Sequence, residues 1–579
     1  MTRAHVRSAL VLVLALVGLT GCVQVPTNGP IEPVEGQAET CQNCINVEVA
    51  PPASGAEPRE VVRGYLQATS NYQPNYTTAR QFLTSTAAEA WRPEAGVSIY
   101  NGALVGPGNA VRLQGRLVGG VREDRTYTAQ DKELDIDFGL VQENGEWRIG
   151  KPPKGLMVAE SFFSRFYSAY SVFFVGNGAS LVPERIHLPA LRNPANVASA
   201  LMTALLDGPS NWLKPSVTSS FPMETSLSVA SVTITNGIAE VPLNEAVLAL
   251  PDPERSLMAA QIVYTLRQVS GVKGVLITVN KQKFLVPGAD PTSLVVALDV
   301  FSRDLDPVPF ATDQLYAVKD GRVFLVTTPR ETAGLQAIAG PLGRSRFVVD
   351  SLAVSVNGTD LAVVTDGRTA LRRAATANGA VTKLGTGLTD MLRPQFTRYG
   401  EVWTLGRQGG RQSLWMSSRE WTGTVEAPAP KGGAITAFRI SPDGARMALV
   451  RRVDTRFELG LARISRGEKV TVDGWRRIDL TLSDATNVNR LTDVAWLDAN
   501  ELLLLGTPSN GAAQVPIRVA ADASQVIVEA GEDTWNARQL TILHRPQTAI
   551  VVGADHAWRD NGTRWDPFLD DIGTVAYAG

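Results

Sequence analysis

Reactive side chains are what this chain has least of. It carries three cysteines and four histidines in 579 residues. His5, His187, His544 and His556 are scattered along the sequence, so few imidazoles could serve as general bases. Charge of one sign is also missing. The 55 basic and 57 acidic residues leave a net charge of −2, without the basic footprint of a nucleic-acid binder. No run of residues reaches the roughly 20 apolar positions that a membrane-spanning helix needs.

Catalytic motifs are absent as well. There is no Walker loop, no H-E-x-x-H and no metal-ligand cluster. Ser270-Gly271-Val272-Lys273 matches S-x-x-K, but that motif needs its serine at the start of a buried helix. Here a helical pattern precedes Ser270, a strand follows Lys273, and no S-D-N or K-T-G partner exists, so the segment reads as a turn. Ser441-Pro442-Asp443-Gly444 lacks the Thr-Trp and the Asp spacing of a sialidase Asp box. It reads as a hairpin turn similar to those of TolB-like and WD40-like propellers, with Pro and Asp-Gly serving turn geometry. No catalytic residue, cofactor site or metal site is assigned, and the chain reads as a non-enzyme.

The N-terminus holds the strongest local signal. Arg3 and Arg7 precede an unbroken apolar run from Ala9 to Val17, and Leu19-Thr20-Gly21-Cys22 follows. A charged start, a short apolar stretch and a small-residue cleavage site make a secretory signal peptide over residues 1–21. The four residues ending in Cys22 resemble a lipobox. The resemblance implies S-diacylglyceryl and N-palmitoyl groups on Cys22 and a lipid anchor on the outer face of the cell membrane. More than one acyl chain makes such anchoring stable.

Cys41 and Cys44 form a C-x-x-C pair. A redox role needs a helix N-terminus and a zinc site needs two more ligands. Neither is at hand, which leaves a candidate local disulfide of an oxidising compartment. Both lie in residues 22–56, rich in Pro and Gly, which read as a lipidated flexible tether. Such a coil spans roughly 30 Å, or about 110 Å fully extended.

Beyond the tether the pattern is multidomain, α+β and then all-β. Residues 57–160 read as an N-terminal α+β domain. Pro58 opens a helix with Val61, Val62, Tyr65 and Leu66 on one face, and Ala79, Phe82 and Leu83 belong to a second. Strands are expected over 111–118, 134–141 and 146–149. Two helices followed by a sheet resemble the cone-shaped NTF2-like folds. Residues 165–290 form a second α+β unit, with a buried strand from Ser171 and a helix over 195–206 closed by Asp207-Gly208-Pro209. The alternation over 228–235 reads as a strand that turns at Asn236-Gly237 into 238–241. A helix aligns Met258, Ile262, Leu266 and Val269, and a strand follows over 275–279.

From about residue 310 to 579 helical periodicity stops and a strand–turn–strand unit recurs. Copies begin at Leu315, Leu352, Pro394, Phe438, Val494 and, more weakly, Leu540. Strand repeats roughly 40 to 55 residues apart are the signature of a β-propeller.

The segment from Leu205-Leu-Asp-Gly-Pro through Phe221-Pro-Met-Glu-Thr, Val232-Thr-Ile-Thr-Asn-Gly, Ile262-Val-Tyr-Thr-Leu and Gly271-Val-Lys-Gly-Val resembles a GerMN domain. A lipobox, a small α+β domain, a GerMN module and a propeller, in that order, resemble the LpqB lipoproteins of high-GC Gram-positive bacteria over essentially the whole chain. That resemblance implies a partner: the extracellular domain of a sensor histidine kinase like MtrB of the MtrA–MtrB two-component system, in cell-envelope homeostasis. Only Cys22 transfers as a functional residue. Three functions remain open at this point. They are a signalling accessory of such a kinase, an envelope scaffold or glycan-binding lipoprotein, and a cell-wall hydrolase with an unrecognised site.

Overall fold

The structure is a computed structural model that describes residues 49–327, 333–344, 346–385, 387–427, 432–480, 487–510, 513–531 and 536–579. The signal peptide, most of the tether, and Cys22, Cys41 and Cys44 lie outside the described residues. Among the described residues, no helix is long and apolar enough to cross a membrane.

Helix α1 (Pro58–Ser70) starts with Pro in its first turn and a capping box between Glu57 and Glu60. Val61, Val62, Tyr65 and Leu66 are buried, as their spacing requires. The second expected helix is shorter than its pattern. Helix α2 covers Thr77–Arg80, and Leu83 lies past it, bridged to Ile149. Helix α3 (Ser85–Ala90) is capped by the Thr84 hydroxyl, which accepts from the Ala87 amide.

The strands here are β1 (Val97–Val105), β2 (Arg112–Val121), β3 (Tyr127–Asp137), β4 (Leu140–Glu143), β5 (Glu146–Ile149) and β6 (Leu156–Ala159). One sheet has the order β3-β2-β1-β6, and β4 and β5 pair separately. The strand expected over 134–141 is therefore two strands. Gly139 at φ +55° turns the chain between them, and its amide donates to the Asp137 carboxylate at 2.9 Å. Tyr65, Trp91 and Phe138 meet in the core of this region.

Helix α4 (Glu160–Phe166) leads into β7 (Tyr167–Gly176), which pairs with β8 (Leu181–Pro189) and β9 (Val217–Thr218). Helix α5 (Pro194–Leu206) buries Val197, Leu201 and Leu205. The expected strand over 228–235 contracts to β10 (Thr233–Thr235). The reason is competition for its backbone: the Ser228 amide donates to Pro242, and the Val232 amide donates to the Ser199 hydroxyl of α5 at 2.8 Å. Asn236 and Gly237 both have positive φ, the geometry of a tight hairpin turn.

Strand β11 (Ile238–Leu243), helix α6 (Asp252–Leu266) and strand β12 (Gly274–Val279) make a β-α-β crossover, with β11 and β12 parallel. Strands β13 (Gln282–Lys283) and β14 (Val296–Ala297) both pair with β12. The sheet thus continues past residue 290, and the shared core reaches Phe301.

Among the described residues, the rest of the chain forms six four-stranded antiparallel sheets. The first holds β15 (Leu315–Lys319), β16 (Arg322–Thr327), β17 (Gly334–Ala337) and the C-terminal Thr574–Tyr577. The second holds β18 (Val349–Val354), β19 (Asp360–Thr365), β20 (Ala370–Ala375) and β21 (Val381–Gly385). The third holds β22 (Gln395–Phe396), β23 (Val402–Gln408), β24 (Arg411–Ser417) and β25 (Thr422–Thr424). The fourth holds β26 (Ala434–Ile440), β27 (Arg446–Val453), β28 (Arg456–Arg466) and β29 (Val470–Ile478). The fifth holds β30 (Val488–Trp496), β31 (Glu501–Pro508), β32 (Val515–Ala520) and β33 (Val526–Val528). The sixth holds β34 (Gln539–His544), β35 (Gln547–Val552), β36 (His556–Asp560) and β37 (Trp565–Asp570).

Each sequence repeat is one hairpin of one sheet. The C-terminal strand Thr574–Tyr577, here β38, pairs antiparallel with β15. Small cores lie between consecutive sheets, and one of them joins the sixth sheet to the first through Ile550, Leu569, Val575 and Leu315.

Candidate functional site

Two buried polar systems stand out. The first lines a cavity of about 70 Å³ whose wall is drawn from the first strands of the second to sixth sheets and from β38. Arg393, just before β22, donates to the Leu540 carbonyl at 2.8 Å and to Asp493 at 2.6 Å. Asp493 also accepts the Leu540 amide at 2.9 Å, and Arg439 stands 3.6 Å away. Burial pushes the Asp493 carboxyl up and the Arg393 guanidinium down, and their mutual attraction opposes both shifts. This pair ties the third, fifth and sixth sheets together. His544 lines the same cavity, and burial lowers its pKa to about 4, so it is neutral at neutral pH. The cavity has room for a few waters rather than a substrate.

The second system is the junction between residues 125–306 and the six sheets. The His187 ring of β8 sits 2.8 Å from the Asp522 carboxylate, beyond β32, with both side chains nearly inaccessible. Arg185 is 3.7 Å from the same oxygen. Tyr127 and Phe163 pack on the His187 ring, each 5.6 Å away, so His187 touches three regions of the chain. Burial opposes ionisation of Asp522. The hydrogen bond to His187 and the Arg185 charge outweigh it and hold the pKa at about 2.

Trp212 donates to the Gly474 carbonyl at 2.6 Å, and its own carbonyl accepts from Arg463 at 2.7 Å. Arg476 lies over the Trp212 ring at 4.8 Å. At the end of the connecting segment, the Asp306 carboxylate accepts from Arg545 at 2.6 Å and from the Tyr264 hydroxyl at 3.1 Å. Glu184 lies in this wall too; burial raises its pKa, while the Ser210 hydroxyl and amide pull it back. Buried polar contacts of this kind favour one relative placement of the elements they join.

The residues singled out from sequence fall differently. Cys22, Cys41, Cys44 and His5 lie outside the described residues. Ser270 and Lys273 stand between α6 and β12, where the Lys273 amide donates to Gly237, so the segment serves a turn. Ser441–Gly444 turns β26 into β27, but it does more than turn. Asp443 is fully buried and hydrogen-bonded to Ser441 and Arg446, while its carbonyl accepts from Tyr399, whose hydroxyl also reaches Asn177. His556 pairs with exposed Asp570 at 2.7 Å. Among the described residues, no group of three or more His, Cys, Asp and Glu is placed to hold a metal ion.

Sequence reasoning missed the junction. His187 and Asp522 are 335 positions apart, and no local pattern pairs them.

Comparison with known proteins covers nearly the whole chain. Residues 51–164 match the family described as "Lipoprotein LpqB, N-terminal domain". Residues 171–283 match "Sporulation and spore germination", and residues 325–575 match "Lipoprotein LpqB beta-propeller domain". A protein named Lipoprotein LpqB from Cutibacterium acnes is 29% identical over 98% of both chains. One of the same name from Thermobifida fusca is 25% identical over 93% of both. Another, from Mycolicibacterium smegmatis, is 25% identical over 77% of this chain and 78% of its own.

Proposed function

This chain belongs to the LpqB lipoprotein family, and on that premise we propose that it is a membrane-anchored, non-enzymatic accessory of a sensor kinase. Cys22 carries the lipid, and the folded mass stands on the extracytoplasmic face at the end of the tether. In this reading an N-terminal NTF2-like domain (57–160) and a GerMN domain (165–290) precede a propeller (310–579) whose blades are the six sheets, a reading supported by the pairing of β38 with β15 in the first sheet. The partner is the extracellular domain of an MtrB-like kinase, and the pathway is cell-envelope homeostasis.

The observation that carries this reading is the junction. Buried contacts at His187–Asp522, Trp212–Gly474 and Asp306–Arg545 lock the α+β regions to the sheets. The chain therefore offers one preformed surface, and among its described residues the side-chain partners of His187 and His556 are the carboxylates of Asp522 and Asp570 rather than hydroxyls. Two proteins held at one membrane gain effective concentration, so a modest interface is occupied. Regulation requires tighter binding to one kinase conformation than to the other.

The test has two parts. Soluble protein from residue 57 onward should bind the kinase ectodomain and change autophosphorylation of the full kinase in liposomes. In cells, intact mass should show acylated Cys22 at the mature N-terminus, and Cys22→Ala should lose both anchor and signalling. A protein that neither binds the ectodomain nor alters phosphorylation, but sediments with peptidoglycan, is an envelope scaffold instead.

A further inference from the structure

Between the third and fourth sheets the shared core does not fill its joint. A cavity of about 420 Å³ opens there, walled by Leu405, Leu414, Met447, Leu449, Val472 and Trp475. The first five of these are each at most 5% exposed, so each presents only an edge to the cavity, and the half-buried Trp475 presents more. Packed interiors keep few voids larger than one water. An apolar cavity of this size falls in the range of small-molecule sites, roughly 300–1,000 Å³.

The two sheets are pinned without being filled. The Gln412 side chain donates to the Ile435 carbonyl and accepts from the Ile435 amide, each at 2.8 Å. Gly410 and Gly432 line the cavity, and a Cβ on either would meet nothing within 4 Å. The entrance is therefore rimmed in part by bare backbone.

Charge on the lining is unequal. Asp473 is held by Arg463 at 2.6 Å, and Arg451 by Glu458 at 2.6 Å. Arg407 stands 3.5 Å from Asp390. Arg411 lines the cavity with no ion-pair or side-chain hydrogen-bond partner among the described residues. The lining thus combines an apolar wall with a solvent-exposed, unpaired cation at its rim.

We propose that this cavity binds a small anionic amphiphile, its apolar body against the leucines and Trp475 and its single anionic head on Arg411. The site borders the junction through Asp473, which Arg463 holds while also donating to the Trp212 carbonyl, but its occupancy does not depend on the kinase reading.

The test is calorimetric titration of the mature chain from residue 22 carrying Cys22→Ala. Laurate, dodecyl phosphate and 1-dodecanol are each used below their micelle concentrations. At least one anion should bind saturably at one site, and the alcohol about tenfold more weakly, as loss of one charge-assisted contact implies. Which anion binds tighter separates a fatty carboxylate from a lipid phosphate as the source. Arg411→Gln should remove the preference for the anion. Leu449→Trp should fill the void and lower affinity at least tenfold, and Ala462→Leu should act in the same direction with less added bulk. Absence of saturable binding by both anions overturns the proposal. So does binding that survives both filling substitutions unchanged.

Discussion

Residues 172–301 and the six sheets bury apolar surface in different ways. The first region has a single core, in which α5, α6 and strands from two sheets share one cluster of buried residues. The sheets have six smaller cores, each made by two neighbouring sheets. A single core is specified by a run of neighbouring elements. A core at a joint exists only while both of its sheets are in place, and the joint between the sixth and first sheets rests on a strand 255 or more residues from its partner (Leu315 with Tyr577, Val318 with Thr574). Non-local pairing of this kind carries a large ordering cost before any contact repays it. The sheets are therefore the region whose integrity depends on one chain end.

The sharpest way to break this contrast is to delete residues 574–579. That removes Val575 and Tyr577 from one core and Ala576 and Ala578 from another. Hydrogen exchange should show amides of the first, second and sixth sheets losing protection, while β11 and β12 retain theirs. Equal loss in both regions would mean that they unfold as one unit.

A smaller effect is expected at the centre of the sheets. Asp493→Ala leaves Arg393 and Arg439 buried without their carboxylate. Removing one partner of a buried pair costs about 3–5 kcal/mol, which denaturant titration will read. A cost under 1 kcal/mol would show that water reaches the pair.

The junction sets how far the two regions act independently. His187→Ala should cost about 1–3 kcal/mol, because the buried Asp522 carboxylate loses one hydrogen-bond partner and keeps those from Ser524. Acid probes the same contact. The Asp522 pKa is about 2 in the folded chain against an ordinary 3.8. A depressed carboxyl contributes stability that is fully present above the unfolded value and is lost as pH falls through the folded one. The junction should accordingly weaken between about pH 4 and pH 2, by roughly 2 kcal/mol in all. Asp522→Asn should flatten that part of the stability profile; an unchanged profile would exclude Asp522 as its source.

The smallest effect is expected in residues 22–56, which the sequence marks as a candidate tether. Replacing Cys41 and Cys44 by Ser should change stability by less than about 0.5 kcal/mol, as for substitutions away from any packed feature. A drop of several degrees in Tm would place the pair within a folded unit.

Local patterns were legible wherever neighbouring residues decide the outcome. The faces of α1 and α5, the Asn236-Gly237 turn and all six hairpins of the sheets follow from periodicity and turn chemistry, because their partners lie a few positions away. Strand β8 was not legible from sequence, nor was the shortening of β10 by a hydroxyl on α5, since each depends on an element elsewhere in the chain.

The sequence by itself determined the α+β regions followed by repeated strands, and it marks Cys22 as the candidate anchor. Only the tertiary structure decided that Asp443 is a buried contact as well as a turn, that Arg393 and Asp493 tie three sheets together, and that His187 meets Asp522. The physical reason is distance along the chain. Periodicity reports which face of an element seeks cover, whereas the identity of a buried charge's partner is settled only when segments hundreds of residues apart are packed together and every polar group shut off from water must find one.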